Sequence, residues 1–401
     1  MFTILISILL FEKDILYLEG GARLMKVKIS AVVAAAFITL FGGAAALANE
    51  PVRGVYYGSN KFGDSGRIAN LVELLKKTEI NTIVIDKKDD NGIEVSRDYF
   101  KKLIAPFRAS GAGIMCRIVA LKDNVYAKSQ NGAGLTLKSM SRQGRAWTDR
   151  RGSKYLDPAL EGTSDYIIEV SLRAIRDGCD SLNFDYIRLP SPRDGNTRDT
   201  KYPPAPKKRA GDPSHERNVE KRRVMNLFLG RMVTGIRKEY PDVPLAASVF
   251  GYACYGFEPG VGQYLDDFAL YGFIISCMAY PTHYSCNDEA PDPSYVPYVI
   301  YRKTTMKARA YLNAKGFANT EFIMWLQGFN LPNINGCGLG KNKEGKTIGI
   351  KGKKGAIVEY EKDPKRFREQ IRPLNDLGMD SWIVWHPSAR YAPNLFKPKK
   401  P

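Results

Sequence analysis

From Arg53 onward the chain alternates short apolar runs with longer stretches whose apolar positions recur at helical spacing. Eight runs read as strands: RGVYYGS (53–59), TIVIDKKDD (82–90), GIMCRIVALKD (113–123), SLNFDYIRLP (181–190), PLAASVFGY (244–252), FIISCMAYPTHY (273–284), EFIMWLQGF (321–329) and SWIVWHPS (381–388). Their apolar residues are nearly continuous rather than alternating, as in strands covered on both faces of a parallel sheet. Helices are predicted between them. In RIANLVELLKKT, Ile68, Leu71, Val72 and Leu75 fall at i, i+3, i+4 and i+7. Tyr99, Phe100, Leu103, Ile104 and Phe107 make a second stripe in SRDYFKKLIAPFRASG. Segments 163–177, 216–240, 260–271, 296–315 and 363–377 also read as helices. Gly111, Gly178, Gly316 and Gly378 stand where glycine ends a helix just ahead of a strand.

Eightfold strand–helix alternation predicts an α/β fold, with the parallel sheet closed into a (β/α)8 TIM barrel. The competing open, doubly wound sheet usually carries a Gly-rich phosphate loop after its first strand. Here that place holds GSNKFGDSG, which does not match GxGxxG. The tail from Ala389 is too short and too Pro-rich for a full eighth helix, so an atypical or missing eighth helix is expected.

The first residues follow a different pattern. From Met25 the chain reads MKVKISAVVAAAFITLFGGAAALANE. Two lysines, an apolar run and a small-x-small site at Ala46-Leu47-Ala48 have the anatomy of a secretory signal peptide, cleaved near Ala48. Met25 then reads as the true start. The alternative is a longer membrane-anchoring leader over 1–48. The expected organisation is a leader over 1–48 and a single barrel domain over 49–401, with a basic insertion near 191–215 and a Gly/Lys-rich loop near 335–355. No stable membrane span is expected after cleavage, and the location is secreted or periplasmic. Such compartments are oxidising. None of the six cysteines forms a CxxC or another tight metal spacing. Cys116 and Cys277 lie in apolar runs and read as small core residues. Cys254, Cys286 and Cys337 lie in Gly/Pro/Asn-rich segments where a disulfide is plausible, and the spacing leaves the pairing open.

Composition is that of a globular protein, 44% hydrophobic and 25% charged, but the formal charge is +18. Much of the excess sits in 193–238 and 341–354. A basic solvated surface accounts for it; so does attraction to an anionic polymer such as an acidic glycan. Export and the lack of any nucleic-acid motif argue against nucleic acid.

In a barrel, the working residues sit at the C-terminal ends of the strands and in the loops that follow. The polar residues fall there: Asp86, Lys88, Asp89 and Asp90 on the second run, Arg117 on the third, Asn183 and Asp185 on the fourth, Tyr280 and His283 on the sixth, Trp325 and Gln327 on the seventh, Trp385 and His386 on the eighth. Period-two alternation puts Asp185 with Asn183, Asp86 with Lys88, and Trp325 with Gln327. Because the second, third and fourth runs are neighbours, Asp86, Arg117 and Asp185 are expected in one charged cluster. Asp185 as a structural partner of Arg117 or Arg188 is the plainer alternative. Asp89 and Asp90 are as well suited to capping a turn, Asp149 and Asp157 to ordering a loop, and Trp147 to anchoring a loop or carrying a sugar. Tyr56, Tyr252, Tyr280, Trp325 and Trp385 are candidate sugar platforms or barrel core.

RGVYY, TIVIDKKDD with CRIVALKD, WTDRRGSKYLDP, FDYIRLP, GVGQ, AYPTHY, WLQGF and WIVWHPS together resemble the putative glycoside hydrolase domain family, a domain of unknown function distantly similar to α-amylase-like barrels. The resemblance runs from about residue 52 to 391. The chain departs from the pattern at Lys87, Gly328 and His386. What the resemblance implies is hydrolysis of a polysaccharide by two carboxyl groups, without a cofactor. In α-amylase-like barrels the nucleophile ends the fourth strand and the acid lies on or after the fifth. Asp185 matches the first place. The fifth run lacks a carboxylate, so Glu258 in the following loop is the leading acid and Asp86 its rival. Lys88, Arg117, Asn183, Tyr280, His283, Trp325, Gln327, Trp385 and His386 are the candidate substrate-binding residues. Two other readings compete: a carbohydrate-binding barrel without activity, and a metal-dependent glycan deacetylase using His283 and His386 with Asp86, Asp185 or Asp89. The metal reading is weak on sequence, since the chain has three histidines and no HxH or HxxE spacing.

Overall fold

Each of the eight apolar runs becomes one strand of a closed parallel barrel in the computed structural model: β1 Arg53–Tyr57, β2 Thr82–Lys88, β3 Gly113–Val119, β4 Ser181–Asp185, β5 Leu245–Phe250, β6 Ile274–Met278, β7 Phe322–Gln327 and β8 Trp382–Trp385. The structure describes residues 15–20, 23–28, 50–203, 214–287, 290–333, 336–351, 355 and 357–399. Strands neighbour one another in chain order, and β8 pairs with β1 from Trp382–Arg53 to Val384–Val55 to close the barrel. Residues 1–50 belong to a separate unit, in which Ile15–Gly20 and Arg23–Lys28 form an antiparallel pair. The apolar run and cleavage site of the expected signal peptide lie outside the described residues. No helix among the described residues is long and apolar enough to cross a membrane.

The continuous apolar character of the runs follows from their two buried faces. Val55, Ile83, Ile85, Ile114, Leu182, Phe184, Val249, Ile275 and Val384 pack outward under the helices. Tyr56, Val84, Met115, Ile323, Trp325 and Ile383 fill the barrel interior. The helices are α1 Ser65–Lys77, α2 Arg97–Arg108, α3 Glu161–Asp177, α4 Ser214–Glu239, α5 Leu265–Leu270, α6 Pro297–Ala314, α7 Pro364–Arg368 and α8 Arg372–Asp376. α1 shows why they form. Asp64 caps it by accepting from the Arg67 N–H at 3.0 Å, and Leu71, Leu74 and Leu75 are buried on one side. Each such burial contributes about 1.5–3 kcal/mol. α3 ends at Gly178, whose φ of +116° is open to glycine and strained for other residues.

Three expectations are corrected. Cys116 and Cys277 are not free core thiols. Cys116 pairs with Cys179, Cys254 with Cys277 and Cys286 with Cys337, at Cα separations of 5.7, 6.4 and 5.5 Å. The apolar setting concealed this, because Cys116 and Cys277 point outward from β3 and β6 towards chain that is distant in sequence. The helix read over 260–271 begins only at Leu265. Before it, Gly262 takes φ +74° and a short hairpin pairs Phe257–Glu258 with Gln263–Tyr264. The helix read over 363–377 is split into α7 and α8, with Pro373 in the first turn of α8, where its missing N–H is tolerated.

The basic loop near 341–354 contains an antiparallel hairpin of Cys337–Lys341 and Thr347–Lys351. Of the 191–215 insertion, residues 204–213 lie outside the described residues. After β8 the described chain has a single short 3-10 turn, Pro393–Leu395, in place of an eighth helix, and Lys399 N–H donates to the Lys77 carbonyl at 3.0 Å.

Candidate active site

Arg117 organises the C-terminal mouth of the barrel. It lies on β3 between Asp86 of β2 and Asp185 of β4, as the strand order requires. Its Nη1 donates to Asp86 Oδ1 at 2.8 Å. Nε and Nη2 donate to Asp185 Oδ2 at 3.0 and 2.7 Å. Burial disfavours the guanidinium charge, but the Asp185 and Asp86 carboxylates outweigh it and hold the Arg117 pKa well above its ordinary value. Arg117 is therefore a fixed cation.

The two carboxylates differ. Asp86 is almost fully buried, with a side chain 4% exposed, and its Oδ2 also accepts from Tyr56 Oη at 2.7 Å and Ser59 N–H at 2.9 Å. The side chain of Asp185 is 15% exposed. Its Oδ1 accepts from the Tyr186 N–H at 2.6 Å. Tyr186 has φ +47°, rare for a bulky residue. That turn ends β4 immediately after Asp185 and holds the carboxylate against its own backbone. The Tyr186 ring lies near Lys122 Nζ and the Arg188 guanidinium, 5.1 and 4.7 Å from its centroid.

An aromatic wall stands beside the ion cluster. Trp385 at the end of β8 lies 6.3 Å from Tyr56, 6.1 Å from Tyr280 and 4.8 Å from Phe329, between ring centroids. Tyr280 and His283 follow β6 and meet edge-on at 5.3 Å. Burial keeps the Tyr280 hydroxyl protonated, reinforced by the nearby Asp185 charge. Burial also lowers the His283 pKa to about 4, with the Arg193 charge adding to the effect. His283 is thus neutral above that pH in the folded protein. The unfolded chain takes up the proton first, near pH 6.5. Stability is then lost progressively as pH falls from 6.5 to 4 and levels off below, by up to about 3 kcal/mol for this group. His283→Asn is expected to flatten that part of a urea-midpoint profile against pH, measured beside the parent.

The other predicted residues are placed as follows. Lys88 does not share the face of Asp86. A bulge between them shifts the register, pairing Asp86 with Arg117 but Lys88 with Ile118. Lys88 is instead fully buried, bonded to Asp123 at 2.8 Å and to the Val119 carbonyl at 2.5 Å. Asn183 does share the inward face with Asp185, and its Oδ1 accepts from Ser248 Oγ at 3.1 Å. Trp325 is buried edge-on against Tyr56. Gln327 is buried too. Its Oε1 accepts from Thr282 Oγ1 at 3.0 Å, and its Nε2 donates to the Phe329 carbonyl at 3.0 Å, fixing the loops of Tyr280, His283 and Phe329. His386 is buried and bonded through Nε2 to Glu361. Burial lowers its pKa and the Glu361 charge partly offsets that.

Glu258 lies in the hairpin after β5, half-buried, accepting from the Gly260 N–H at 3.3 Å. Burial raises its pKa, while that hydrogen bond and Lys221 work in the other direction. Among the described residues no hydrogen bond or ion pair joins Glu258 to Asp86, Arg117 or Asp185. Asp89 caps a turn by accepting from the Asn91 and Ile93 N–H groups. Asp149 and Asp157 order loops, and Trp147 is a buried anchor.

Phe329 and Glu361 went unread in the sequence. Phe329 closes an otherwise ordinary strand run, and Glu361 lies 25 residues from His386 in a charged loop. The strand-end rule offered a signal for the first but none for the second. Among the described residues no group of three or more His, Cys, Asp or Glu is placed to hold a metal ion, so the deacetylase ligand set does not assemble.

Comparison with known proteins bears on the fold and the family. Over most of its length the chain resembles the glycoside hydrolase domain of PgaB (BpsB) from Bordetella bronchiseptica, with 15% identity, 87% of this chain and 100% of that chain covered, and a TM-score of 0.55. The catalytic domain of β-amylase from Paenibacillus polymyxa has 13% identity, 86% and 94% coverage, and a TM-score of 0.52. At these identities the likeness establishes the barrel fold. No curated protein matches the chain. A family model described as "Putative glycosyl hydrolase domain" matches residues 54–343, from the first barrel strand to the basic hairpin, and so takes in Asp86, Arg117, Asp185 and Glu258. The chain belongs to that glycosyl hydrolase domain family.

Proposed function

We propose that the protein is an exported glycoside hydrolase that cleaves a polysaccharide at the mouth of the barrel, with Asp185 as the carboxylate at the reacting carbon. The observation that carries the reading is the contrast within the cluster. Asp86 is enclosed and satisfied on both oxygens, whereas Asp185 stands partly open to solvent at the end of β4, oriented by Arg117 and the Tyr186 N–H. Asp185 stabilises or attacks the oxocarbenium-like centre, and Asp86 positions Arg117 rather than serving as the acid. Trp385, half-buried, offers a face for a sugar ring, backed by the buried Tyr280 and Phe329, and neutral His283 a hydrogen bond to a hydroxyl. Gln327 fixes the loops that carry Tyr280, His283 and Phe329, and Trp325 backs Tyr56 edge-on. Three disulfides favour a secreted or periplasmic location.

Glu258 is the general acid in this reading. A carboxyl raised by burial keeps its proton closer to neutral pH, as a leaving-group acid must. Glu258→Gln is expected to lower kcat by roughly 10²–10⁴-fold on an unactivated glycan. Because the acid form is lost as pH rises, the alkaline limb of the pH–rate profile should disappear with it. A variant that keeps both the rate and that limb would remove Glu258 from the mechanism.

A further inference from the structure

We propose that one face of α6, with the aromatic loop after β5, forms an accessory site for an acidic polysaccharide. Its pocket is lined by none of Asp86, Arg117 and Asp185, and Phe257 joins it to the hairpin that carries Glu258. The choice of a glycan rests on the hydrolase reading; the site itself rests on three observations. First, the sequence of α6 and its C-cap, residues 297–315, contains five cations (Arg302, Lys303, Lys307, Arg309, Lys315) and no Asp or Glu. Lys303, Lys307, Tyr311 and Lys315 succeed one another at i, i+4 spacing and so line one helix face. Like charges at that spacing weaken a helix, so helix stability does not explain the stripe.

Second, the stripe runs past clustered aromatic rings. Tyr252 and Phe257, 38% and 51% exposed, are large apolar side chains facing solvent within six residues of each other. Tyr252, Tyr255 and Tyr284 form a mutual cluster with centroids 5.0–6.1 Å apart, and with Lys303 and Lys307 they line a pocket of about 290 Å³. Lys307 Nζ lies 4.3 Å from the Tyr255 centroid. Phe257 continues the row, 6.3 Å from Tyr311 and 5.5 Å from Tyr264, over which the Arg222 guanidinium sits at 4.4 Å. The nearby acids Asp266 and Asp267 are both engaged by Arg222, and Tyr311 Oη also bonds Asp266.

Third, the basic hairpin extends the charge. At Gly349 its second strand lies so close to the Pro291 carbonyl and Cys286 that a side chain would clash, which places it against the pocket wall. Its Lys341, Lys343 and Lys346 are exposed. Ring faces beside ammonium groups match a polymer whose repeating units present both an apolar sugar face and a carboxylate.

The test is binding, read in the Asp185→Asn protein so that hydrolysis does not intervene. Polygalacturonate oligosaccharides are titrated calorimetrically at low and at physiological salt, with neutral dextran oligosaccharides as comparator. The proposal expects salt-sensitive binding of the acidic glycan alone. It expects roughly tenfold weaker binding for Lys303→Glu/Lys307→Glu/Lys315→Glu, and a loss also for Tyr252→Ala, with the melting transition retained. Equal affinity for the neutral glycan, or no effect of either variant, would overturn it. So would equal binding of single-stranded DNA or phosphatidylserine vesicles that the same variants abolish, because the surface would then be a general anion patch. Since binding is scored in a protein without the proposed nucleophile, its failure leaves the hydrolase reading untouched, and the absence of hydrolysis leaves this result untouched.

Discussion

Replacing Asp185 with Asn is expected to abolish glycan cleavage, by roughly 10⁴-fold or more, while the barrel stays folded. The substitution keeps size and shape. Arg117 bonds one Asp185 oxygen and the Tyr186 N–H the other, so Asn keeps an acceptor for one of these partners and loses the bond to the other. What it removes is the negative charge and the nucleophilic oxygen, the two properties glycoside hydrolysis needs at the anomeric carbon. Arg117 keeps its bond to Asp86, so the cation is not stranded. A thermal melt shifted by only a few degrees, with activity gone, is the expected pair of results. Full activity would mean that Asp185 is a structural anion, and unfolding would mean the same more strongly.

Arg117→Met should have the largest effect on stability, about 3–5 kcal/mol. The guanidinium spans one carboxylate nearly cut off from water, Asp86, and one partly open to it, Asp185, and it is the cation bonded to both. Methionine fills much of the volume but leaves two like charges facing each other without compensation. The double variant Arg117→Met/Asp86→Asn should recover part of the loss, since one of the stranded charges is gone. Chemical denaturation of the parent, the single and the double variants measures this directly. Equal losses in single and double variants would show that the cost lies in packing and not in charge.

The difference between what the sequence revealed and what it hid is physical. Strand existence was legible because both faces of each strand are buried, so the apolar runs are unbroken. The Asp86–Arg117–Asp185 cluster was legible because parallel strands in chain order bring equal heights together. Strict alternation then failed at Lys88, since a one-residue bulge reverses every later side chain and nothing in IDKKDD marks it. Cys179 and Cys254 could not be assigned to Cys116 and Cys277 because the pairs depend on where helices return. Glu361 was hidden for the same reason: its meeting with His386 is set by the path of a loop. Nor did FDYIRLP announce the left-handed Tyr186, which is imposed on that residue by its surroundings.

The most direct test of the central claim is reducing-end release from a panel of bacterial exopolysaccharides, run with the protein and its Asp185→Asn variant side by side. The account predicts that at least one polymer is cut by the parent and that this release vanishes in the variant. Release that persists in the variant would contradict it, as would a parent that binds the polymers tightly yet cuts none.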